Sequence, residues 1–307
     1  MRRIWIPLAL AALAVLAWWP LGFLPWFSAG LDWPTTIAAP VGSSSEGLAG
    51  LRMPLPLIAV YLPALVCCAV VGGTIAGLLP ILVLQIHLPR PAAILEVWLV
   101  VAVTVVVTLA LSTELIRQHA PTSFAADTRV LVGLTAAVVA GTLLGLVVGS
   151  LSVHWHGLAS LAAALVAGAA PTWVRAFLYD GSHAPAVRSW ADALTGVLVA
   201  LVLSSGLVVS VHRSRRWAGL WPVALLVLWC AGPAVAALTY LTAVLRPSSG
   251  LPDSLPGHLA AARQVFGQAF TQTHPQLWPM VVAFGLGLAW LALGALRGRQ
   301  ERPAPAS

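Results

Sequence analysis

The chain has 307 residues, of which 60% are hydrophobic and only 8% charged, against roughly a quarter charged in a soluble domain. That much polar surface cannot clothe a water-soluble body, so a soluble globular enzyme is excluded and much of the surface is expected to face lipid. The formal net charge is +7 and all 16 basic residues are arginine, but they are spread over short loops rather than gathered on one face, which excludes a nucleic-acid-binding surface.

A lipid hydrocarbon core about 30 Å thick takes roughly 17–25 helical residues to cross. Segments of that length and apolar character recur near 4–27, 55–79, 92–112, 130–150, 157–176, 193–211, 219–243 and 278–296. They lack the ten-residue alternation of barrel strands. The predicted fold is therefore all-α, a polytopic bundle of eight membrane-spanning helices, forming a single domain over residues 1–299.

Arg2 and Arg3 precede the first segment. Its apolar run outlasts the roughly 7–15 residues of a signal-peptide core and ends in "WWPLGFLPWF", so it reads as an uncleaved helix closed by an aromatic belt. A loop over 28–53, rich in Ser, Gly and Pro, follows and holds Asp32 in "GLDWP". The second segment contains Pro63, Gly72 and Gly73 and stays apolar as far as Leu88. In the third, "RPAAILEVWLV" places Glu96 four residues past Ala92, about 6 Å at helical rise. That depth allows pairing with Arg90 or a proton or ligand role, since a carboxylate inside a membrane is costly.

The fourth segment, "GLTAAVVAGTLLGLVVG", sets Gly133, Ala137, Gly141, Gly145 and Gly149 four apart. Such a spacing drifts slowly around a helix and leaves one shallow groove. Lipid tails are as apolar as leucine, so membrane helices associate where small side chains let backbones approach. Ala69, Gly73 and Gly77, and again Ala159, Ala163 and Ala167, repeat the device. Packing within the chain is the primary reading of the stripe, and a homodimer seam the second.

The seventh segment carries Gly232–Pro233 near its middle. Proline removes a helical hydrogen bond, and paired broken helices mark substrate pathways in transporters. Gly232, Pro233, Gly72, Gly73 and Pro63 are accordingly the candidate pathway residues. The loop over 246–277 contains Leu259, Ala262, Phe266 and Phe270 at helical spacing, opposite Arg263, Gln264 and Gln268. This predicts an amphipathic helix lying either on the outer membrane face or against the bundle. The tail over 300–307 is expected to be disordered and cytoplasmic.

Arginine placement gives the orientation. Arg2, Arg3, Arg90, Arg213, Arg215, Arg216, Arg297, Arg299 and Arg302 crowd very short connections and the tail. The remaining arginines, and most of the acids, lie in longer loops. Both termini are thus expected to be cytoplasmic. The lysine-free, Ala- and Gly-rich composition points to a GC-rich bacterial genome and a plasma-membrane location.

Metal and cofactor are not expected. The three cysteines, Cys67, Cys68 and Cys230, sit in apolar segments as small hydrophobes, and "HWH" at His154 and His156 supplies fewer ligands than a zinc or copper site needs. No G-x-x-x-x-G-K-[ST], G-x-S-x-G or H-E-x-x-H occurs. Three function classes remain. The leading one is a permease-type or membrane-complex subunit for transport or envelope assembly, with the lipid bilayer and a membrane-protein partner as its surroundings. The second is an enzyme acting on a lipid phosphate or lipid-linked sugar at the outer face, with Asp32 or Glu96 as the catalytic acid. The third is a purely structural partner-binding subunit.

Overall fold

The computed structural model describes residues 2–32, 52–83, 89–119, 126–178, 185–212, 214–244, 255–272 and 277–300. The described residues are helical, with no strand among them and a single isolated bridge between Asp32 and Arg52. In order the helices are α1 (Arg2–Leu16), α2 (Leu24–Ser28), α3 (Leu62–Leu78), α4 (Pro80–Val83), α5 (Arg90–His119), α6 (Thr128–His154), α7 (Ala159–Arg175), α8 (Pro185–His212), α9 (Trp221–Val244), α10 (Leu255–Thr271) and α11 (Leu277–Gln300). Six spans are long and apolar enough to cross a membrane: Ala59–Leu82, Arg90–His119, Thr128–His154, His156–Arg175, Ser189–His212 and Arg215–Thr242. The first and last apolar helices, Trp5–Leu21 and Leu277–Leu293, are shorter. The helical runs that hold them are longer, Arg2–Leu21 and Leu277–Gln300.

The outward faces carry the expected lipid-like chemistry. Leu95, Leu99, Val103, Val106, Val107 and Leu111 all stand exposed along α5, an apolar stripe far larger than a soluble monomer presents. α3 is the opposite case and is buried on nearly every side. Its two strongest neighbours explain why so much of it is small.

α3 and α6 cross backbone to backbone. A methyl group placed on Gly145 would lie 2.5 Å from the Val70 carbonyl oxygen, and one on Gly149 2.5 Å from that of Thr74. From the other side, a methyl on Gly73 would meet the Thr142 carbonyl oxygen at 2.5 Å, and one on Gly77 the Leu146 carbonyl oxygen at 2.8 Å. Gly133 and Ala137, nearer the start of α6, are only half-buried. The same device recurs between α7 and α8, where Gly206 lies against Ala159 and Ala163. Indole N–H groups fasten further pairs. Trp18 donates to Thr142 Oγ1 at 2.9 Å, Trp98 to Ser150 Oγ at 2.9 Å and Trp221 to Ser210 Oγ at 3.1 Å.

Two apolar cores result. One gathers α1, α3, α5 and α6 around Trp18, Leu65, Val97 and Leu134. The other gathers α7, α8, α9 and α11 around Ala167, Leu203, Trp221 and Leu228. Between them Cys67 and Val71 of α3 pack on Ala169 of α7, and Trp173 Nε1 donates to the Gly22 carbonyl oxygen at 2.8 Å.

Several expectations need correction. The first segment is not one helix over 4–27: α1 gives way to a π turn at Ala17–Leu21 that contains Pro20, and α2 restarts after Phe23 with Pro25 near its N-terminus. Proline cannot donate to the α ladder, and the wider turn accommodates it. Helical structure in the second segment begins only at Ala59, and Pro63 sits at the start of α3 rather than inside it, where its missing N–H is harmless. The third helix runs on to His119, well past 112. Of the two places expected for α10, the structure has it against the bundle, packed on α9: Ala262 is buried, Phe266 and Phe270 are half-buried, and Trp229 Nε1 donates to the Phe270 carbonyl oxygen at 3.2 Å. Leu259, expected on the packed face, is exposed. The tail expected over 300–307 is helical at residue 300, while 301–307 lie outside the described residues together with 33–51 of the first loop.

Candidate functional site

A cavity of about 510 Å³ opens between α7, α8, α9 and α11. Its walls follow from where the small and cyclic residues fall. Pro171 of α7 and Gly232 of α9 both line it, and Pro233, one residue on, is buried inside α9. Each proline withdraws a backbone donor from its helix. Gly196 of α8 faces the Trp278 indole at the start of α11 so closely that any side chain there would overlap the ring. Gly168 of α7 likewise abuts Ala231 of α9, leaving 2.5 Å for an added methyl. Small residues therefore pinch the helices together at two points, and the space between those points stays open.

The lining is mostly apolar, with Val199, Val235, Ala236, Trp278 and Pro279 among its residues. Thr172 and Thr195 are there too; the Thr195 hydroxyl is spent on the Ala191 carbonyl oxygen at 2.6 Å, and Thr172 shares a hydrogen bond with Cys67 of α3. Charge enters at one place. Arg175, the last residue of α7, donates through Nε and Nη2 to Asp192 Oδ1 of α8 at 3.2 and 3.0 Å. Both bonds end on the same oxygen, which leaves Oδ2 and the other guanidinium amine outside the pairing. Gly232 is eleven residues into α9, about 16 Å along it at helical rise, so the cavity reaches from a charged rim to the middle of a span.

The residues singled out in the sequence do not all converge here. Gly232 lines the cavity, whereas Gly72, Gly73 and Pro63 are not among its lining residues. Gly72 is pressed against Trp18 and Gly22, and Gly73 against α6, which gives both a packing task. Glu96 is half-buried on α5, which packs on α1, α3, α4 and α6 rather than on the cavity helices. It does not pair with Arg90; the ion pairs among the described residues are Arg52–Asp32 and Arg175–Asp192. Asp32 accepts from Arg52 Nε at 3.2 Å, next to Leu31 in a left-handed backbone conformation at φ 62°. That corner is braced by Trp26 Nε1 donating to the Met53 carbonyl oxygen at 3.0 Å. Asp32 thus joins the two ends of the first loop. Among the described residues no three His, Cys, Asp or Glu side chains come together as metal ligands.

Sequence reasoning missed Arg175, Asp192, Thr195, Gly196 and Trp278. A signal existed: Arg175 closes one predicted span and Asp192 immediately precedes the next, so both flank a single connection. Comparison with protein-family models, with curated proteins and with solved structures finds no match for this chain.

Proposed function

We propose that the chain is a multi-pass membrane protein of eight crossings with both termini cytoplasmic, serving as a permease-type or membrane-complex subunit for transport or envelope assembly in a bacterial plasma membrane. The observation that supports this reading is the cavity of about 510 Å³ whose wall includes Gly232 beside the proline of α9. Its size falls within the roughly 300–1,000 Å³ of small-molecule sites. It lies between helices at membrane depth, where transporters place their substrates. The sequence carries no phosphate-binding loop of its own, so this reading does not include ATP hydrolysis by a P-loop of the chain itself.

The test is gentle extraction of the tagged protein from its own host at natural expression level, followed by native mass spectrometry. A protein partner in fixed ratio is the expected result. A chain that emerges alone overturns the subunit reading.

A further inference from the structure

The charge at the cavity rim limits what can enter. Arg175 and Asp192 are the charged residues in the lining, and together they sum to zero. A head group bearing only negative charge would gain Arg175 but confront Asp192, and a purely positive one the reverse. A head group bearing both signs matches both, exchanging one pair within the protein for two with the ligand. The side chains of Arg175 and Asp192 are 62% and 57% exposed, and an ion pair so open to its surroundings holds the fold together only weakly. It is therefore free to change partners. Beyond the rim the walls are Val199, Val235, Ala236 and Trp278, which suit a hydrocarbon tail and offer a polar ligand few hydrogen bonds.

We propose that this cavity binds a zwitterionic amphiphile, with its anionic group on Arg175, its ammonium group on Asp192 and its tail along α9 toward Gly232. The inference rests on the reading of the cavity as a substrate site and adds the substrate's chemical class. Zwitterionic head groups occur both on membrane lipids and as free soluble molecules, and the cavity's apolar depth favours the lipid.

Native mass spectrometry of the full-length protein in detergent separates these sources. The probes are lysophosphatidylethanolamine, lysophosphatidic acid and soluble phosphoethanolamine. The first is expected to bind at least about tenfold more tightly than either other, the worth of one charge-assisted hydrogen bond. Arg175→Gln and Asp192→Asn should each erase about tenfold of that affinity, and Ala236→Trp, which fills the wall, should abolish it. Equal binding of phosphoethanolamine overturns the lipid assignment, and equal binding of lysophosphatidic acid overturns the zwitterion.

A second readout keeps this apart from the fate of the substrate-site reading. With the native cysteines replaced by alanine, Gly232→Cys is labelled with a maleimide in the presence of each probe and of total host lipid. Protection by host lipid but not by lysophosphatidylethanolamine overturns the head-group assignment and leaves the substrate site standing. Protection by neither removes both.

Discussion

At the scale of single residues, the glycines of α6 differ in what they forbid. An added methyl at Gly145 meets the backbone of Val70, Gly73 and Thr74 between 2.5 and 3.0 Å, and backbone cannot swing aside as a side-chain tip can. Gly145→Ala should force α3 and α6 apart and destabilise the protein by about 1–3 kcal/mol, the usual toll of overpacking. Gly285 on α11 has no atom within 4 Å of the same position. Gly285→Ala should therefore be neutral, or stabilising by up to about 1 kcal/mol through helix propensity. Melting both variants in the same detergent checks the pair, and equal melting temperatures would remove the close-crossing argument. The stripe was legible in the sequence because regular spacing on one helix encodes a groove. The Arg175–Asp192 pair was legible only as two opposite charges flanking one connection, since only the packing of α7 on α8 brings them within 3.0 Å.

At the scale of elements, α10 shows how an amphipathic pattern leaves its own destination open. Ala262, Phe266 and Phe270 form an apolar face that suits a membrane surface or a neighbouring helix equally well. What decides is Trp229 on α9, whose indole donates to the Phe270 carbonyl oxygen and lies edge-on to the Phe270 ring at 6.4 Å. Trp229→Ala removes a hydrogen bond and an aromatic contact, worth together about 2 kcal/mol. In a background lacking the native cysteines, an Ala262→Cys probe should then react with maleimide up to about thirtyfold faster. A rate unchanged by Trp229→Ala would mean that α10 rests on the membrane surface and takes no support from α9. The break in the first segment escaped prediction for a related reason. Hydropathy registers "AWWPL" as continuous with its neighbours, while the π turn depends on Trp18 reaching Thr142 and on Gly22 meeting Gly72, contacts that exist only once the helices have packed.

At the scale of the whole molecule, hydropathy located every long span to within a few residues at most ends, because a membrane demands length and apolar character locally. It could not say which spans meet, since lipid and leucine are equally good neighbours for an apolar helix. The same limit bears on the two short helices at the ends of the chain. Trp5–Leu21 and Leu277–Leu293 are shorter apolar stretches within the helical runs Arg2–Leu21 and Leu277–Gln300, and both are packed against long spans: Leu10 and Ala14 of α1 lie in the first core and Ala283 of α11 in the second. A helix of that apolar length is able to cross where flanking residues anchor it, and arginines flank both. Fusion of a reporter to each end decides the matter. With eight crossings, a fluorescent protein that folds only in the cytoplasm should light up at both termini, and an alkaline phosphatase that needs the outer side should stay inactive at both. If the two short helices lie on the outer surface and only the six long spans cross, both results reverse. One terminus of each kind would mean that a single short helix crosses, and the arginine-based orientation would then hold at only one end of the chain.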